Sequence, residues 1–224
     1  MSRPSTNALI TELVANAGAV RPLAAPLWRG LATIALLAVA AATVILLFGD
    51  MQGLSTRYAG RHLLMMLEMA AMLLTGVIAI LGAFFISIPG RSRLWLLAPL
   101  PSLVAWVGLS GLGCYQDFLR FGSGGLAFGD SMTCLMLLLG GGLLVGVPLL
   151  LLLARARPVE PLPVALLGGL GAAAASAFLL QFFHPFALTA IDLGVHLLGV
   201  GLIVGIASHS RRRTLSSAWE HEFK

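Results

Sequence analysis

Six apolar runs dominate the chain, at Leu31–Phe48, Leu63–Ile88, Leu94–Leu112, Thr133–Leu153, Leu162–Phe183 and Ile191–Ala207, with polar stretches between them. Each is long enough to cross a hydrocarbon layer of about 30 Å as a helix. Inside that layer no water is available to backbone N–H and C=O groups, so each segment must satisfy its own. The pattern predicts an all-α, polytopic membrane protein, a bundle of six transmembrane helices. The second run exceeds the length needed, which predicts tilt or a helical extension, and Pro89-Gly90 marks its end.

Charge placement orients the bundle. With the N-terminus in the cytoplasm, the inner segments hold Arg3, Arg21, Arg29, Arg91, Arg93, Arg155, Arg157, Arg211, Arg212, Arg213 and Lys224. The outer ones hold only Arg57, Arg61 and Arg120. Positive charge stays inside, so both termini are expected in the cytoplasm. The segments Asp50–His62, Gly113–Met132 and His184–Ala190 then face outward. Three regions follow: a cytoplasmic segment 1–29, a membrane domain 30–207 and a basic cytoplasmic tail 208–224.

Composition sharpens this picture. The chain of 224 residues is 10% charged, against about a quarter in ordinary globular domains, and its mean hydropathy is +0.96. The net charge of +5 reads as retention of loops on the inner side, with the lipid bilayer as partner and no direct contact with nucleic acid. No soluble catalytic domain has room here, and no enzyme activity is expected. The first thirty residues show no short apolar core with a small-residue cleavage site, so the first run is expected to stay as an anchor. Glycine, at 26 residues, falls largely inside the spans, as in Gly142…Gly146, Gly168-Gly169-Leu170-Gly171 and Gly201…Gly205. Small residues let helices approach closely in lipid, and these read as packing seams.

Ahead of the first span, Leu9, Ile10, Leu13, Val14 and Ala17 form one apolar stripe on a short helix, with Asn7, Thr11, Glu12 and Asn16 opposite. Ser5 or Thr6 can cap its start and Gly18 its end. So short a helix is marginal alone in water. It can dock on the membrane surface, on the protein's own loops, or in the groove of a soluble partner. The lack of Lys or Arg between Leu9 and Val20 argues against the membrane surface.

The polar residues of the spans gather at the outer side: His62 and Glu68 in the second, Cys114 after the third, Asp117 and Asp130 in the next loop, Cys134 opening the fourth, and His184, Asp192 and His196 around the last pair. Glu68 is costly in hydrocarbon unless protonated or paired, so it is expected to face the bundle interior. Asp192 and His196, at i and i+4, share a helix face. One reading is a shared cavity of Glu68, His184, Asp192 and His196 around the two thiols, fit for transient binding of a soft or borderline metal ion or for tuning thiol reactivity. The plainer reading makes the histidines and Asp192 loop and helix-start residues, with Glu68 bonded to a neighbouring helix. The cysteines are open to three readings: buried small hydrophobes, a reversible dithiol, or a disulfide. Closing the loop between them contributes on the order of 3 kcal/mol in the chain-entropy model.

Taken in order, several motifs resemble the negative-regulator-of-sigma-F (NrsF-type) family. They are Leu9-Ile10-Thr11-Glu12-Leu13, Ala19-Val20-Arg21-Pro22-Leu23 with Pro26 and Arg29, Ile88-Pro89-Gly90-Arg91-Ser92-Arg93, Gly113-Cys114, Gly129-Asp130-Ser131 with Cys134, and His184-Pro185 with Asp192 and His196. The resemblance implies a six-span anti-sigma factor that holds an extracytoplasmic-function sigma factor at the bacterial inner membrane. It further implies that Leu9, Ile10, Leu13 and Val14 contact the sigma factor, and that Cys114 and Cys134 sense metal or oxidative stress. Two other classes compete. A small transporter or channel would use Glu68, Asp192 and His196 as a polar path, but the inner halves of the spans lack matching groups. A thiol oxidoreductase is disfavoured because neither cysteine belongs to a Cys-x-x-Cys motif.

Overall fold

A computed structural model describes residues 5–16, 23–57, 62–121, 128–156 and 158–183, and the positions 198, 199, 201, 202, 204–206 and 209. The regular elements among the described residues are helical: α1 (Thr6–Asn16), α2 (Pro26–Phe48), α3 (Met51–Arg57), α4 (His62–Ile86), a 3-10 turn (Arg93–Leu96), α5 (Leu100–Phe121), α6 (Phe128–Ala154) and α7 (Pro161–Leu180).

Helices α2, α4 and α7, and the stretch Arg93–Gly113 that joins the 3-10 turn to α5, are long and apolar enough to cross a membrane, and Leu138–Ala154 of α6 is a shorter apolar helix. Their outward faces carry Leu36, Val39, Leu46, Leu73, Leu74, Val104, Leu144 and Leu151, all exposed. An apolar surface this extensive fits lipid as solvent. The last run, Ile191–Ala207, lies partly outside the described residues, but Gly199 abuts the Leu138 side chain of α6, where an added Cβ would sit 2.5 Å from Leu138 Cδ2.

Three expected boundaries move. Helix α2 begins at Pro26, ahead of its apolar run, because proline fits the first helical turn, where its missing N–H would be unsatisfied anyway. Arg29 therefore lies within a membrane-length helix, not in a preceding loop. The segment Gly113–Met132, expected to face outward, is helical at both ends, as α5 runs to Phe121 and α6 starts at Phe128. No breaker intervenes until the sequence Gly122-Ser123-Gly124-Gly125. In the segment Asp50–His62, Asp50 caps α3 by accepting a 2.8 Å hydrogen bond from Gly53 N–H. Gly90, at φ 81°, supplies the left-handed turn that ends α4's trailing segment.

The bundle is organised around α4 and α7, with α2 and α5 packed on α4 and α6 on α7. At the α4–α7 crossing, a Cβ on Gly171 would meet Ile80 Cγ1 at 2.6 Å and the Ile80 backbone nitrogen at 3.3 Å, and one on Gly76 would meet Ala174 Cβ at 3.5 Å. Helix α7 buries Gly168, Gly169, Gly171, Ala172, Ala173, Ala174 and Ala177, so the expected small-residue seam is the centre of the molecule. Trp106 of α5 and Leu138 of α6 join α4 and α7 residues in one buried cluster.

Cross-contacts fix which helix ends lie together. At one end, Arg29 at the start of α2 reaches the carbonyl of Leu152 near the end of α6, and Arg93 after α4 pairs with Glu160 before α7. At the other, Asp50 N–H after α2 donates to the Phe182 carbonyl after α7. These contacts agree with an up-and-down order for α2, α4, α5, α6 and α7.

Candidate functional site

At the end where α4 begins, α4 presents Glu68, Met72 and Thr75 to the bundle, spacings that share one helix face. Glu68 is 2% exposed. A carboxyl group there needs partners, since an uncompensated polar group in apolar surroundings costs several kcal/mol at order of magnitude. Ser110 of α5 donates a 2.6 Å hydrogen bond to Glu68 Oε1, and Glu68 has further interactions. Gln181, buried at the end of α7, brings its Nε2 to 4.0 Å from Met72 Sδ. Three helices thus build a small polar column in the core. Thr75 lies a turn deeper and returns its hydroxyl to the Ala71 carbonyl at 2.7 Å, which keeps its polar atom satisfied without a partner helix.

The interior placement expected of Glu68 is therefore correct, and its bond to α5 is the one the plainer reading calls for. His184, Asp192 and His196, named with Glu68 as a speculative metal set, lie outside the described residues. Among the described residues no three His, Cys, Asp or Glu side chains gather closely enough to hold a metal ion. His62 starts α4 and is exposed. Cys114 lies within α5 and Cys134 within α6, so both belong to helices rather than to a loop; their side chains are outside what is described. Sequence reading missed Ser110 and Gln181. Ser110 was findable, since it follows buried Trp106 by one helical turn on the inward face of an otherwise apolar run.

Helix α1 forms as expected, with Ser5 Oγ accepting from Ala8 N–H at 3.3 Å as an N-cap. Its stripe stands free: Leu9 is 46% exposed, Ile10 53%, Leu13 63% and Val14 70%, and no residue of α1 is buried. Among the described residues, intramolecular docking does not occur.

At the end of the bundle opposite Glu68, Arg29 makes a polar contact across helices. Its Nη2 donates to Leu152 O at 3.0 Å, and its guanidinium carbon sits 5.2 Å from the centroid of the Phe84 ring. Its Nη1 is buried with no acceptor among the described residues. Around it the surface is basic: Arg155 adds like charge, Arg91 lies 5.9 Å from the Phe85 ring centroid, and Phe85 stacks on Trp95 at 4.4 Å and 3°.

The family model described as negative regulator of sigma F (NrsF) matches residues 13–216, a stretch that starts within α1 and covers every apolar run. No curated protein and no solved structure shows a significant match. With the match spanning most of its length, the chain belongs to the negative-regulator-of-sigma-F family, whose role is the negative regulation of a sigma factor.

Proposed function

We propose that the protein is a bacterial inner-membrane anti-sigma factor with six spans and both termini in the cytoplasm. Its α1 holds an extracytoplasmic-function sigma factor through Leu9, Ile10, Leu13 and Val14. The observation that carries this reading is the exposed α1 stripe. Four aliphatic side chains on one face of a capped helix have no reason to stay in water, and a helix of this length gains its stability by laying that face into a groove. The arginines flanking the membrane support a cytoplasmic position for it.

Release follows from a change at the outer ends of α5 and α6. Cys114 and Cys134 form a disulfide when an oxidant takes two electrons and two protons from the thiol pair, or they bind a metal ion transiently with help from Glu68, His184, Asp192 or His196. No resident cofactor is required. Either event acts only if the altered outer end prefers a helix packing in which α1 binds less well, and coupling of about 1–3 kcal/mol is typical of such devices.

Co-purification of the full chain from its native membrane tests the assignment. A sigma factor is expected to accompany it and to be lost when residues 1–25 are removed. A sigma factor retained by the shortened chain overturns the role of α1, and the absence of any sigma factor overturns the assignment.

A further inference from the structure

We propose that Arg29 is a latch that ties the start of α2, and through it α1, to the cytoplasmic end of α6, and that its release from Leu152 is the step by which a change near Cys134 frees the sigma factor. This rests on the reading of the chain as an anti-sigma factor and adds the route by which its two ends communicate.

Two facts give the contact a specific function. The first is what it caps. The last carbonyls of a helix have no intrahelical donor, and the N–H of Ala156, which would serve Leu152, bonds to Leu153 O instead, at 3.1 Å. Arg29 fills the position, 123 residues away in sequence, with positive charge at the negative end of the α6 dipole. The second is what it joins. Helix α6 carries Cys134 toward its start and Leu152 at its end, while Arg29 lies in the first turns of the helix that follows α1. A single helix thus runs from Cys134 to the Leu152 carbonyl that Arg29 holds.

The latch is also built to open. Arg29 Nη1 is enclosed with no acceptor among the described residues, and the like charge of Arg155 acts on the guanidinium. Both disfavour the closed arrangement, whereas the Leu152 carbonyl, the Phe84 ring and the close approach of Gly30 to Leu81, 2.8 Å from a built Cβ, favour it. A guanidinium that leaves this niche regains water and lipid phosphate. Helix α6 can supply the motion. Pro148 interrupts its hydrogen-bond ladder, and its seam with α7 is narrow, with Gly146 able to accept a Cβ only 3.3 Å from Ala172 Cβ.

The test uses the full chain in its native membrane with a reporter for the sigma factor's target promoter. Arg29→Gln is expected to raise uninduced expression by about five-fold or more, the lower end of typical allosteric coupling, with unchanged amounts of protein in the membrane. Arg29→Lys, which keeps the charge but not the planar fork, is expected to fall between. Removal of residues 1–25 serves as the control. If that deletion derepresses the promoter while Arg29→Gln behaves as wild type, the latch is wrong and the anti-sigma reading stands; if the deletion has no effect, the anti-sigma reading itself falls. Should Arg29→Gln fail to accumulate, hydrogen exchange on the wild-type protein decides. Diamide, which accepts two electrons and two protons from a dithiol, is expected to speed exchange in 26–33 and 150–156 together. Exchange unchanged in both segments overturns the proposal.

Discussion

Ser110 on α5 donates a 2.6 Å hydrogen bond from its hydroxyl to Glu68 Oε1 on α4, and this bond joins the α5 arm to the α4–α7 centre at the end of the bundle where the cysteine-bearing turns of α5 and α6 lie. Replacing one partner of a buried pair costs more than the net worth of the bond, because the survivor stays desolvated. Ser110→Ala is expected to destabilise the detergent-solubilised protein by about 1–3 kcal/mol, seen as a lower midpoint in a thermal unfolding assay. An unchanged midpoint would mean that the other interactions of Glu68 carry it alone.

The α4–α7 crossing makes a second prediction with its own control. Gly171→Ala places a methyl group 2.6 Å from Ile80 Cγ1 and 3.3 Å from the Ile80 backbone nitrogen, so the helices must separate, at a cost of about 1–3 kcal/mol. Gly108→Ala on α5 meets nothing within 4 Å and replaces a poor helix former by the best one. Comparing the two melts is decisive: the first is expected to fall, the second to hold or rise.

The Arg93–Glu160 ion pair links the α4–α5 and α6–α7 connections, yet its side chains are 75% and 45% exposed. Pairs in water contribute little, so Arg93→Ala is expected to change stability by less than about 1 kcal/mol. A larger fall in the melting midpoint would show that the pair is held in a drier setting than its exposure implies.

How much of this was readable in the sequence depends on the residue. The lengths of the apolar runs gave the helices, because lipid leaves the backbone no other choice. Glu68 was placed inward by the cost of burying its charge, and the Gly168–Ala177 stretch was placed at a seam by its size. Arg29 was read as one more loop charge. Its neighbours Pro26, Leu27 and Trp28 show that the helix had already begun, but the partner Leu152 O belongs to a backbone group 123 residues on, and no local pattern encodes that contact. The same holds for Ser110 and Gln181, whose partners lie on other helices. Exposure of α1 was undecided in sequence between partner and self-docking, since an apolar stripe has the same spacing in either case.

On that helix, Leu13→Glu with Val14→Glu tests the interaction surface directly. Both side chains stand in solvent, at 63% and 70% exposure, so the protein is expected to reach the membrane at normal levels. In a groove, two carboxylates in place of aliphatic anchors cost about 2 kcal/mol or more of binding, roughly 30-fold. Recovery of the sigma factor by co-purification is expected to fall accordingly, and the target promoter to rise without any stress. Full recovery of the partner would move the contact surface away from this face.

The cysteines supply the last prediction. Helix α5 is rooted on α4 and helix α6 on α7, so a bond or a shared ion between Cys114 and Cys134 would tie together helices that answer to different neighbours. A rearrangement imposed there passes along α6 to Pro148, where the interrupted ladder lets the two parts of the helix shift relative to each other. Cys114→Ser with Cys134→Ser keeps side-chain size and helix propensity nearly constant, so insertion and basal repression are expected to persist. Induction of the target promoter by cadmium or diamide is expected to disappear. Induction that survives in the double variant would place the sensor elsewhere, with buried Glu68 the next residue to replace.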